Sequence, residues 1–69
     1  MIKFDGPKFV EWLEAEHVDL RHGNDLTDWD LKKILAARRG NTLSIYQADT
    51  ICTHANLHIQ LVPDNVRCG

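Results

Sequence analysis

The sequence is short of almost everything that would announce a chemistry. It has two cysteines, two prolines and one methionine in 69 residues. Cys52 and Cys68 allow one disulfide, but nothing marks the chain for an oxidising compartment, so both are expected to be free thiols. Cys52 falls on an apolar helix face and reads as a small core residue. His54 and His58 stand four apart near Cys52, and zinc takes such ligands. However, Asn56 is expected to end the helix between them, and the spacing fits no finger or ribbon pattern. No metal or other cofactor is expected. There is no nucleophile elbow, phosphate loop or HExxH motif. A chain this short also has little volume for a water-excluding pocket, so an enzyme is not expected. No apolar run approaches the ~20 residues needed to cross a bilayer. The opening MIKFDGPKF lacks the apolar core and small-residue cleavage site of a secretory leader. A cytoplasmic protein with no membrane partner is the expectation.

What is present is a globular composition, 43% apolar and 26% charged. The length makes residues 1–69 one domain of modest stability. The net charge of −2 hides a division. Residues 1–31 hold eight acids against three bases, and residues 32–69 hold five bases against two acids. Four of the bases, Lys32, Lys33, Arg38 and Arg39, sit just ahead of Gly40. Such a split suits a polyanion-binding face opposite an acidic back.

Three helices are marked by their ends. Asp5 can cap a helix over about 6–17, with Pro7 in its first turn and Phe4 and Phe9 as a hydrophobic staple. Its apolar residues Phe9, Val10, Trp12 and Leu13 recur at helical spacing. Thr27 with Asp30 resembles a capping box for a helix over 28–39, expected to bury Leu31, Ile34 and Leu35. Arg38, Arg39 and Gly40 suit its C-terminus. Ser44 with Gln47 makes another capping box, and that helix is expected to end at Asn56. Residues 18–26, VDLRHGNDL, read as a turn or one short helical piece. The ends MIKF and LHIQLV have strand-like patterns and can pair as a small β-ribbon.

The order of these features resembles the lambda-repressor and Cro-like helix-turn-helix domains of phage and bacterial regulators. The resemblance runs over residues 27–62 and rests on Ile34, Ala37 and Gly40 closing one helix. It continues through Thr42–Leu43–Ser44, then Ala48, Ile51 and Ala55, then Asn56–Leu57. The closing VPDNV is similar to the end of small phage and actinobacterial proteins of this type. It implies a mainly α, compact helix-turn-helix domain of three to four helices, with a full helix within residues 18–26.

It also implies a sequence-specific transcriptional regulator that docks helix 28–39 in the major groove of double-stranded DNA, without a cofactor. Lys32, Lys33, Arg38 and Arg39 would reach phosphates, joined by Asn41 and Thr42 from the following loop. Thr27, Asp30 and Lys33 are the candidates for base reading. A homodimer through the terminal strands would match the two-fold symmetry such proteins use on half-sites. The alternative is a protein-interaction module that binds a host or regulatory protein through the acidic first half, with Trp12 and Trp29 as anchors.

Overall fold

The computed structural model describes residues 2–20 and 25–68. Among them are three helices, α1 (Gly6–Ala15), α2 (Asp28–Arg38) and α3 (Ile45–His54). A small antiparallel sheet joins β1 (Lys3–Phe4), β2 (Leu43–Ser44) and β3 (Arg67–Cys68). Two 3-10 turns, Ile59–Leu61 and Asp64–Val66, lie between α3 and β3. No described helix is long and apolar enough to cross a membrane.

Each helix starts where its cap residue stands. Asp5 accepts the Lys8 N–H at 3.0 Å to open α1, and the Asp5 N–H donates to the Val66 carbonyl at 2.7 Å, tying that start to the second 3-10 turn. The Phe4 and Phe9 rings of the staple lie 6.1 Å apart. Thr27 with Asp30, and Ser44 with Gln47, both form complete capping boxes.

The three helices also end alike. In each, the residue two past the C-cap donates its N–H back across a Schellman turn: Val18 to Leu13, Asn41 to Ala36 and Leu57 to Cys52. The residue between adopts a positive φ: His17 at 63°, Gly40 at 112° and Asn56 at 61°. Gly40 and Asn56 are the stops expected from the sequence. His17 is not a usual choice, because its Cβ is crowded in this conformation at a cost of about 1–2 kcal/mol. His17→Gly is therefore expected to raise stability by about 1 kcal/mol, with a melting temperature higher by roughly 4–8 °C in thermal denaturation. Asn56→Gly should gain less, since asparagine tolerates this conformation.

The core gathers Phe9, Val10, Trp12 and Leu13 of α1, Ile34 and Ala37 of α2, and Ala48, Ile51 and Cys52 of α3. Phe4, Leu43, Val62 and Val66 close it from the sheet and the 3-10 turns. Full burial of one such large side chain contributes about 1.5–3 kcal/mol, so few can be spared in a domain this small. The closest approach is at Gly6. A Cβ there would lie 2.5 Å from the Ala37 carbonyl oxygen and nearer still to that of Asn41. The missing side chain lets the start of α1 rest on the end of α2.

Two expectations are corrected. MIKF does not pair with LHIQLV: Lys3 and Phe4 face Ser44 and Leu43 on one side, and Cys68 and Arg67 on the other. The 57–62 segment spends its backbone donors locally, with Leu61 bonded to His58 and Val62 to Ile59. Both edges of β1 are thus occupied, and a strand-mediated homodimer would have to pair through β2 or β3, each two residues long. The helix implied within residues 18–26 is absent from 18–20 and 25–27, which are irregular; residues 21–24 lie outside the described residues.

Candidate nucleic-acid interface

The capping box that opens α2 also fixes how the helix is rotated. Asp30 Oδ2 accepts the Thr27 N–H at 2.8 Å, and Thr27 Oγ1 accepts the Asp30 N–H at 3.2 Å. Oδ2 also lies 2.6 Å from Nδ1 of His54, the last residue of α3. The Asp30 side chain is fully buried, while that of His54 is 37% exposed. Asp30 thus joins the N-terminus of one helix to the C-terminus of another. Its Oδ1 is buried without a hydrogen-bond partner.

With Asp30 inside, the 100° helical step carries Ile34 and Ala37 inward beside it. The same step sets Asp28, Lys32, Leu35 and Arg39 along the opposite, outward crest. Trp29 and Ala36 form one shoulder of that crest. Leu35, expected in the core, is 49% exposed. The sequence period allowed either rotation, and the inward carboxylate selects this one.

The structure distributes the eight candidate residues unequally. Lys32 and Arg39 are exposed on the crest, and Asn41 and Thr42 are exposed in the loop beyond Gly40. Thr27 is exposed, with its hydroxyl oxygen already accepting a bond. Lys33 is half-buried, its Nζ 5.8 Å from the centre of the Trp29 ring, a cation–π arrangement. Arg38 turns toward α1, with Nη1 3.8 Å from Glu14 Oε1. Exposed pairs of this kind contribute at most about 1 kcal/mol, so Glu14 directs Arg38 more than it stabilises the fold. Asp30 is the correction: burial and its partners Thr27 and His54 remove it from any base edge. Of the two acids at the start of α2, only Asp28 stays exposed.

His54 and Leu35 were not candidates. Nothing local marks His54, since its partner lies 24 residues away in sequence. Trp12, expected as an anchor on an acidic face, is 8% exposed and packs 5.8 Å from the Phe9 ring centre. Only Trp29 of the two tryptophans is open to a partner.

A shallow cavity of about 220 Å³ adjoins His54, rimmed by Glu16, His17, Asp25 and Leu57. Among the described residues, no group of three or more His, Cys, Asp or Glu side chains could hold a metal ion. Cys52 and Cys68 are free. Burial, with the nearby Asp49 charge adding to it, pushes the Cys52 thiol up to about 12 from its ordinary 9.0. It stays protonated near neutral pH.

No family model matches the chain, and no curated protein or solved structure matches it either.

Proposed function

We propose that the protein binds double-stranded DNA through the outward crest of α2 and acts as a small transcriptional regulator. The observation that supports this is the crest itself. Lys32 and Arg39 stand exposed along it, with Asn41 and Thr42 exposed just beyond, and the acid at the third helical position is turned into the core. Two cations on one helix face with no element of the described fold over them suit the phosphates that line a groove, although Asp28 shares that face. In this reading Lys32 and Arg39 position the helix, and the loop residues add phosphate contacts. The homodimer is part of the proposal, with two crests addressing two half-sites.

Fluorescence anisotropy with a mixed-sequence duplex at several salt concentrations tests it. Binding is expected to weaken steeply with salt. The Lys32→Ala/Arg39→Ala double variant is expected to flatten the log–log slope by about 2, close to one unit per lost phosphate contact. A chain that shows no binding at low salt does not carry this function.

A further inference from the structure

Resting on the DNA-binding reading, we propose that Leu35 reads the 5-methyl groups of pyrimidines in the major groove, so that the preferred duplexes are rich in thymine.

The polar residues that could read bases from α2 are largely committed elsewhere. Asp30 is buried against Thr27 and His54. Lys33 lies over the Trp29 ring. The Thr27 hydroxyl oxygen accepts the Asp30 N–H. What the crest presents between Lys32 and Arg39 is one apolar side chain, Leu35, which also lines a shallow groove with Leu20, Leu31, Ile34 and Arg38. Leu35 is 49% exposed and Trp29 37%, with Ala36 half-buried on the shoulder between Trp29 and the crest.

Lys32 and Arg39 flank Leu35 on the crest, which also carries Asp28 at its N-terminal end. Lys32 precedes Leu35 by about one turn and Arg39 follows it by about one turn. A rise of 1.5 Å per residue separates the two cations by about 10 Å along the axis, and Leu35 shares their outward face. A helix held in the groove by these cations turns Leu35 toward the base edges. Leucine offers no hydrogen bond to any base. The one apolar feature that unmodified base pairs show in the major groove is the thymine methyl group, and a G·C pair has none. Burying one methyl group against Leu35 is expected to change affinity about four-fold.

The test uses the wild-type chain and matched duplexes in anisotropy titrations. The first pair is a mixed-order A·T-rich duplex and the same duplex with uracil for thymine, which removes only the methyl groups. The second pair is a G·C-rich duplex with cytosine or with 5-methylcytosine, which adds them. Uracil is expected to weaken binding by about four-fold or more, and 5-methylcytosine to tighten it by a similar factor. Leu35→Ser, at a half-exposed position, is expected to bring both ratios close to one and leave the salt slope unchanged. Salt-dependent binding with equal affinity for thymine and uracil duplexes overturns the methyl reading and leaves DNA binding standing. Discrimination that survives in Leu35→Ser overturns the assignment to Leu35. Absence of binding to all four duplexes overturns both the methyl reading and the DNA reading beneath it.

Discussion

Gly6→Ala is expected to cost about 3 kcal/mol or more of folding free energy, at the upper end for an overpacked site. The added Cβ would meet the Ala37 carbonyl oxygen at 2.5 Å and the Ala37 Cα at 2.8 Å, with the Asn41 carbonyl oxygen closer than either. All three are backbone atoms, so no rotamer change relieves the contact. The start of α1 must lift from the end of α2, and the Phe9 and Trp12 packing behind it loosens. A domain of 69 residues has roughly 3–10 kcal/mol in total, so the variant should lose between about a third and all of its stability. Helix propensity argues the other way, because alanine is favoured over glycine inside a helix by about 1 kcal/mol. The sign of the change in a urea titration followed by circular dichroism therefore decides between the two effects. A variant as stable as wild type would mean that α1 and α2 do not meet at Gly6.

Asp30→Ala is expected to lose about 3 kcal/mol, near the range seen when one member of a buried, hydrogen-bonded pair is removed. The substitution deletes the acceptor for the Thr27 N–H, which opens the capping box of α2. It also strips His54 of its 2.6 Å partner and leaves a void where a fully buried side chain stood. Asp30→Asn keeps the shape but puts an amide donor into a pocket with one unmatched position, so it should fall between alanine and wild type. His54→Ala should cost less than Asp30→Ala, since the His54 side chain is 37% exposed and water can reach the space it leaves. A double-mutant cycle between the two positions should show a coupling of about 1 kcal/mol or more. Additive losses in urea titrations would show that Asp30 acts through the capping box alone. Because Asp30 also helps hold the rotation of α2, its alanine variant should weaken the proposed DNA binding even though it removes a negative charge.

The ends of the helices were legible in the sequence because capping is a local interaction. Thr27 with Asp30 and Ser44 with Gln47 lie three residues apart, so spacing alone identifies them. Gly40 and Asn56 announce left-handed stops by residue type. His17 makes the same turn without an announcement, since nothing in a histidine asks for positive φ. The helical apolar faces of α1 and α3 were largely legible for a related reason: burial follows the period of the helix, and Phe9, Val10, Leu13, Ala48, Ile51 and Cys52 are inside. Ile45 and Ala55, expected on the same face of α3, are 46% exposed and half-buried respectively.

What neighbours do at long range was not legible. The alternation in LHIQLV suggests a strand, but a strand needs a free edge, and β1 is taken on both sides by residues 43–44 and 67–68. The apolar pattern puts the buried face of α2 on the arc of Leu31, Ile34 and Leu35, because an acid is not expected inside, whereas the buried arc is centred on Asp30, Ile34 and Ala37. Tertiary structure decided the matter by placing His54 within reach of Asp30. The carboxylate then turned inward, Leu35 turned outward between Lys32 and Arg39, and the charged segment before Gly40 became an exposed crest. The sequence determined where the helices begin and end, through contacts a few residues long. Only the packing of α2 against α1 and α3, including a bond between residues 24 apart, determined which side of α2 faces outward.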